Sequence, residues 1–169
     1  MLRRRRLLRQ LRTLHTDALN WALVCCNYDR ELAEDVLQMV YLKVLEGKAR
    51  FEGRSMLRTW LLGVVRNTAK EAGRKTLPLL IPIREEATNA LDVLENDSLA
   101  SAMRDLSDMQ RQVIFLVFHR GFTLEEVASI LGIQIGSVRT HYHRAKQKLK
   151  SRLTSNEQFD TEERRQSIL

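Results

Sequence analysis

Apolar side chains recur every three or four residues along most of the chain, which is the spacing of α-helices that bury one face. Before residue 76 this pattern predicts three helices, over about Arg3–Cys26, Arg30–Glu46 and Ser55–Lys75. In the second helix the pattern leaves Lys43 on the outer face. In the third it makes Ser55 a suitable N-cap.

After residue 98 the pattern predicts a short helix over Leu99–Leu106. Ser107 and Gln110 then have the spacing of a capping box, in which each residue satisfies a free N–H of the other. The helix that they open is expected to run through Arg120 and to stop at Gly121. Its inward residues are predicted to be Val113, Ile114, Val117 and Phe118.

The stretch Thr123–Leu153 contains two helices joined by a short turn. Thr123 and Glu126 form a second capping box, and Gly132 can take the left-handed conformation that ends a helix. The following helix starts near Gln134 or Ile135 and carries basic and polar residues between its apolar positions. This arrangement indicates a helix-turn-helix that presents a recognition helix to the DNA major groove. The alternative is a helical hairpin with a solvated basic face.

Charge divides the chain into segments. The protein has 169 residues, a formal charge of +7 and a pI of about 9.8, which favours an anionic partner. Residues 1–75 carry +8 and residues 99–169 carry +3, whereas residues 76–98 carry −4 and both prolines. The predicted organisation is therefore a helical domain over 1–75, a flexible linker over 76–98 and a helix-turn-helix domain over 99–153. A frayed polar tail over 154–169 is expected to follow.

Several classes of site are not indicated by the sequence. No apolar run approaches the roughly 20 residues that span a membrane, so a cytoplasmic protein is expected. Cys25 and Cys26 are adjacent and lack a second ligand pair, which favours small buried residues over a metal site. His141 and His143 fall on different helix faces, which makes them poor joint ligands. No catalytic constellation or cofactor motif emerges, so the protein is not expected to be an enzyme.

A second basic surface is predicted beside a loop. The loop Phe51–Ser55 precedes the third helix, whose outer face carries Arg58, Arg66, Asn67, Lys70, Arg74 and Lys75. An aromatic loop next to such a face could hold an unstacked base, although the residues alone do not decide this. The run Arg3–Arg6 either binds phosphate or is a solvated terminus, and its role stays open.

Two blocks of residues resemble the sigma-70 family of bacterial RNA polymerase sigma factors, in its small extracytoplasmic-function group. The first block is similar to the family's promoter-melting domain and comprises Ala33–Gln38, Phe51–Ser55, Trp60, Leu61 and Asn67. The second is similar to its C-terminal domain and comprises Leu106, Ser107, Gln110, Gly121–Ala128, Gly132, Ile133, Gly136–Val138 and His143–Ala145.

For the first domain, the resemblance implies binding to core polymerase and to the minus-ten element. Asp35, Gln38 and Met39 would contact the clamp helices of the largest subunit. The loop with Phe51, Arg54 and Ser55 would capture a flipped base. The residues that would read neighbouring bases or hold phosphates are Arg66, Asn67, Lys70 and Arg74.

For the second domain, the resemblance implies a position on the polymerase flap tip. Its recognition helix would read the minus-thirty-five element through Arg139, Thr140, His143, Arg144 and Lys146. The linker would thread toward the RNA exit channel. An anti-sigma factor would hold the protein inactive, with no insertion of the chain itself into the membrane.

The chain departs from the family pattern at several positions. Met39 stands where an acidic residue is usual, and Leu45 where tryptophan is common. Arg54 occupies a position of the base-capturing loop where an acid is frequent. The alternative function is a free-standing helix-turn-helix regulator, which would bind a palindromic site unaided, whereas a sigma factor needs core polymerase.

Overall fold

A computed structural model describes residues 2–75, 102, 103 and 105–166, and the side chains of residues 7–73, 102, 103 and 105–153. Every regular element in these ranges is helical, which confirms the all-α prediction. The α-helices are α1 Leu2–Thr13, α2 His15–Cys25, α3 Arg30–Leu45, α4 Leu57–Lys75, α5 Asp108–Ile114, α6 Leu124–Leu131 and α7 Ile135–Gln166. Helices α1 to α4 lie in one compact unit, and α5 and α7 lie in another.

Some predictions fall outside the described residues. These are the linker over 76–98, the side chains of the Arg3–Arg6 run and half of the predicted Leu99–Leu106 helix. Ala102 and Met103 are helical and buried, and Asp105 and Leu106 form a turn. Within the described residues, no helix is both long enough and apolar enough to cross a membrane.

The core of the first unit lies between α2, α3 and α4, which pack against one another in pairs. Trp21 of α2 is fully buried, and its indole Nε1 donates to the carbonyl oxygen of Leu62 in α4 at 2.9 Å. At the edge of the same contact, the Arg58 guanidinium of α4 lies 2.9 Å from the Asp17 carboxylate of α2. Burial of the apolar stripes drives this packing, and the polar pairs fix the register of the helices.

The predicted first helix is two helices. Leu14 has φ −94° and ψ 4°, which departs from helical geometry and separates α1 from α2. The Leu14 N–H donates to Leu11 at 3.2 Å, and the Thr13 hydroxyl donates to the carbonyl of Gln10 at 2.8 Å. The continuous run Arg3–Cys26 was therefore a wrong prediction, because the heptad-like spacing of apolar residues continues through the break.

Helix α3 begins and ends as its sequence predicts, but one of its outer positions is paired. The Asp29 carboxylate accepts from the Leu32 N–H at 3.0 Å and caps the start, and Gly47, with φ +73°, follows the end. Lys43, predicted to lie outside, reaches Glu71 at 2.7 Å and the Thr68 hydroxyl at 3.0 Å, both on α4. It therefore links two helices.

Ser55 does not cap α4. The helix begins at Leu57, and the Trp60 N–H donates to the carbonyl oxygen of Met56, which makes Met56 the residue at the N-cap. The Ser55 hydroxyl instead contacts the Met56 carbonyl at 3.4 Å. The predicted cap was wrong by one residue.

The second unit starts with the predicted capping box of Ser107 and Gln110, which is present in full. Arg111 is buried nearby and donates to the carbonyl oxygens of Met103 at 3.4 Å and Leu106 at 3.2 Å. These contacts hold the preceding turn against α5. Met103, Leu106, Ile114 and Ala145 then form a buried cluster, against which Tyr142 and Leu149 pack.

The helix after Ser107 changes its geometry before it ends. Residues Phe115–His119 form a π-helical segment, which holds an extra residue in its turn. The extra residue rotates the faces that follow: Leu116 is fully buried, whereas Phe118 is 62% exposed. The prediction that Phe118 faces inward was wrong for this reason.

The helix-turn-helix has the predicted elements. The Thr123 hydroxyl accepts from the Glu126 N–H at 3.2 Å, and the Glu126 carboxylate accepts from the Thr123 N–H at 2.9 Å. Gly132, with φ +58°, ends α6, and α7 begins at Ile135. The backbone of α7 stays helical to Gln166, so the helix extends into the predicted polar tail 154–169.

Candidate nucleic-acid interface

The exposed face of α7 carries all five residues predicted to read upstream DNA. Val138 and Ala145 are fully buried and fix the inner face of the helix, with Tyr142 and Leu149 half-buried beside them. The exposed residues, which lie within about two turns of one another, are Arg139, Thr140, His143, Arg144 and Lys146. Helical spacing therefore brings them together on a basic surface that can enter a major groove.

Local contacts orient three of these side chains. The Arg139 guanidinium lies 3.9 Å from the Glu125 carboxylate of α6, with both side chains well exposed. The Thr140 hydroxyl donates to the carbonyl oxygen of Gly136 at 3.0 Å. The Lys146 ammonium sits 5.4 Å from the centre of the Tyr142 ring. An exposed ion pair contributes little to stability, so Arg139 can exchange Glu125 for a base or phosphate.

The predicted base-capturing loop has its aromatic residue packed. The Phe51 ring lies 5.4 Å from the Trp60 ring of α4, in a tilted arrangement, and both residues are half-buried. Gly53, with φ +78°, makes the turn, and Ser55 is exposed. Arg54, which stands where an acid was expected, pairs with Glu52 at 3.0 Å. The loop therefore exposes its polar side chains to solvent and packs the Phe51 ring against α4.

The face of α4 beside this loop exposes two polar residues and partly buries a third. Asn67 and Lys70 are exposed and one turn apart, whereas Arg66 is half-buried. Burial lowers the pKa of Arg66, although the neighbouring Cys25 thiol opposes this shift. The side chain of Arg74 lies outside the described residues. Asn67 and Lys70 are thus better placed than Arg66 to contact a ligand directly.

A third surface lies along the outer face of α3. The predicted polymerase contacts Asp35, Gln38 and Met39 are all exposed. Sequence reasoning missed Leu42, which is 54% exposed one turn beyond Gln38 and Met39. Leu45 is 41% exposed one turn further along. The helical period places both leucines outside the buried stripe of this helix, but a hydrophobic residue carries no local signal that distinguishes a contact surface from a core.

Two parts of the chain match known families. Residues 4–76 match the family described as Sigma-70 region 2, and residues 102–151 match Sigma-70, region 4. The ECF RNA polymerase sigma factor SigX of Bacillus subtilis (strain 168) is 32% identical over 135 residues, which cover 69% of this chain and 68% of SigX. The chain belongs to the sigma-70 family, in its extracytoplasmic-function group.

Other relatives agree with this assignment. RNA polymerase sigma factor CarQ of Myxococcus xanthus is 28% identical to this sigma factor over 130 residues, which cover 72% of this chain and 75% of CarQ. These relatives and the order of the two regions identify an alternative sigma factor, which is a transcription initiation factor.

Solved structures show the same fold. The sigma factor RpoE, in complex with the anti-sigma factor NepR from Bartonella quintana, matches this sigma factor with a TM-score of 0.63 and 25% identity. That match covers 87% of this chain and 96% of RpoE. CnrH, in complex with the cytosolic domain of CnrY, matches with a TM-score of 0.59 and 23% identity over 86% of each chain, which supports the fold alone.

Proposed function

We propose that this sigma factor binds core RNA polymerase, directs it to promoters with a particular pair of DNA elements, and opens the duplex at the downstream element. The observation that carries the proposal is the presence of three exposed surfaces on two sigma regions. These are the α3 face, the loop with the adjacent α4 face, and the basic α7 face. The proposed domains are residues 1–75 and 99–153, joined by a linker over 76–98, and the family matches over residues 4–76 and 102–151 support this division.

The α3 face is the proposed polymerase contact. Its exposed apolar residues Met39, Leu42 and Leu45 form a row flanked by Asp35 and Gln38. A row of exposed apolar side chains with a polar rim is typical of a protein interface. The proposed partner is the pair of clamp helices in the largest polymerase subunit, and the second region would lie on the flap tip.

Melting is proposed to occur by capture. Unstacking a base costs a few kcal/mol, and a pocket that binds only the flipped base offsets this cost without ATP. The loop Phe51–Ser55 would hold that base, and Asn67 would read bases beside it. Lys70 and Arg74 would neutralise phosphates, which makes the complex sensitive to salt. The chain itself would therefore act as a binding subunit and not as an enzyme.

Recognition of the upstream element is proposed to use α7. Arg139, Thr140, His143, Arg144 and Lys146 are exposed on the face that a major groove can accept. The proposed site of action is the cytoplasm, where polymerase and promoters meet. By analogy with the complex of RpoE with the anti-sigma factor NepR, an anti-sigma factor is proposed to hold the protein inactive.

Co-purification with core RNA polymerase tests the proposal. Tagged protein should retain core from a bacterial lysate and start transcription on a subset of promoters. Asp35→Arg and Leu42→Asp should each abolish retention. The first reverses the charge beside the apolar row, and the second places a charge within that row. Leu42→Met keeps the apolar contact, and Thr16→Arg adds charge on the exposed side of α2, so both should retain core.

One result would reject the polymerase assignment. If the wild-type protein fails to retain core and binds a palindromic site tightly by itself, the chain is a free-standing regulator. Circular dichroism of Asp35→Arg and Leu42→Asp should match the wild type, since both positions are exposed. Loss of retention with an unchanged fold would then locate the contact on α3.

A further inference from the structure

Thr140 is the only residue of the proposed upstream-reading surface that carries a hydroxyl group, and the hydrogen of that group already has an acceptor within the helix. Its hydroxyl donates to the carbonyl oxygen of Gly136, one turn earlier in α7, at 3.0 Å. The side chain is nevertheless exposed, beside Arg139 and one turn before His143 and Arg144. This hydrogen bond therefore determines which atoms of the Thr140 side chain remain available to contact DNA.

The surface one turn before Thr140 is bare. Position 136 is glycine, and a Cβ built there would meet no atom within 4 Å. Side chains on a helix lean toward its N-terminus, so the Thr140 side chain lies over this bare turn. Base edges can then approach Thr140 without obstruction by a side chain at position 136.

A threonine hydroxyl has one hydrogen to donate. That hydrogen is already used within α7. DNA offers several hydrogen-bond acceptors, which include guanine N7 and O6, adenine N7 and the phosphate oxygens. Thr140 could donate to one of them only if its bond to the Gly136 carbonyl oxygen broke. The methyl group has no such commitment. Its natural partner in the major groove is the C5-methyl group of thymine.

We propose that Thr140 selects thymine at one position of the upstream element through its methyl group, and not through its hydroxyl. The inference rests on the proposed function, since it assumes that α7 enters the major groove of that element. The hydroxyl oxygen could still accept a hydrogen bond from the amino group of adenine or cytosine. That contact would be lost if the hydroxyl were removed, whereas the methyl contact with thymine would remain.

Two variants separate these roles. Thr140→Val keeps a methyl group and removes the hydroxyl, whereas Thr140→Ser keeps the hydroxyl and removes the methyl group. The wild type and each variant are assembled with core RNA polymerase, and bound promoters are selected from a pool that is randomised in both the upstream and the downstream element. The wild type and Thr140→Val should enrich thymine at the same position, and Thr140→Ser should lose that preference. Base preferences in the downstream element should be the same for all three proteins, which provides an internal control.

Replacement of the selected thymine by deoxyuridine removes only the C5-methyl group. A buried methyl group corresponds to about fourfold in affinity, so the wild type and Thr140→Val should bind the deoxyuridine promoter about fourfold more weakly. Thr140→Ser should bind the two promoters with equal affinity. Melting temperatures of the three proteins should agree, which would show that the differences arise from recognition.

Other results would overturn the inference. Loss of preference in Thr140→Val with retention in Thr140→Ser would assign recognition to the hydroxyl. A uniform loss of affinity in Thr140→Val across all sequences would make Thr140 a phosphate contact, and no change in either variant would exclude a role in selection. If the wild-type assembly itself selects no sequence, the proposed function fails before the variants are compared.

Discussion

The indole nitrogen of Trp21 donates a hydrogen bond to the carbonyl oxygen of Leu62 at 2.9 Å, in the buried centre of the first unit. The two residues are far apart in sequence, and the bond joins α2 directly to α4. Helix α4 also carries Asn67 and Lys70, the proposed downstream contacts. The packing around Trp21 therefore helps to fix the position of that candidate surface.

We expect Trp21→Ala to destabilise the protein by about 3–5 kcal/mol, because it leaves a large cavity at this contact. Trp21→Phe should cost about 1–3 kcal/mol, since it removes the donor and part of the ring. Urea denaturation followed by circular dichroism measures both. Thr16→Ala, at an exposed position of α2, is the control. A Trp21→Ala cost no larger than that of Thr16→Ala would contradict the buried hydrogen bond.

The π-helical segment predicts an unequal response at two nearby apolar residues. Leu116→Ala should destabilise the protein by about 2–5 kcal/mol, because Leu116 is fully buried. Phe118→Ala should cost about 0.5–1.5 kcal/mol, the value of its stacking against the Tyr142 ring at 5.9 Å. Urea denaturation followed by circular dichroism measures both costs. Equal costs would indicate a regular helix with Phe118 turned inward.

The two adjacent thiols are expected to be unreactive in the folded protein. Burial raises the pKa of Cys26 to about 12, and burial also raises the pKa of Cys25 well above its ordinary value of 9.0. At pH 8 the native protein should therefore react with iodoacetamide far more slowly than the urea-unfolded chain. Alkylation of the native protein at the rate of the unfolded chain would contradict this burial.

The same raised pKa values predict how stability depends on pH. Well below pH 9 both states keep their thiols protonated, so the thiols contribute their full stability. As the pH rises from about 9 toward 12, the unfolded chain releases protons that the folded chain keeps, and stability falls. Urea midpoints over this range should drop, and Cys26→Ala should reduce the drop. An equal drop in Cys26→Ala would assign it to other groups.

Asn67 and Lys70 should differ in the step that they affect. If Asn67 reads an unpaired base, Asn67→Ala should weaken open-complex formation by about 1–3 kcal/mol and leave closed-complex binding nearly unchanged. Lys70→Ala, one turn away, should weaken both and reduce the dependence on salt, as loss of a phosphate contact does. Permanganate footprinting and filter binding measure the two steps. Equal losses from Asn67→Ala in both steps would remove its base-reading role.

The sequence by itself determined the features that depend on local interactions. Both capping boxes, at Ser107 and at Thr123, are present as predicted, because each needs only residues three apart. The exposed face of the recognition helix was also predictable, since Val138 and Ala145 mark the buried face and helical spacing places Arg139 and His143 away from it.

Only the tertiary structure decided the features that depend on distant residues. Apolar spacing continues through Leu14 and through Phe115–His119, so the break between α1 and α2 and the rotation that exposes Phe118 leave no trace in the period. Lys43 looked solvated because its partner Glu71 lies on another helix. The exposure of Leu42 was likewise decided by which side of α3 the neighbouring helices cover, because a hydrophobic residue has no local signal that distinguishes a core from a contact surface.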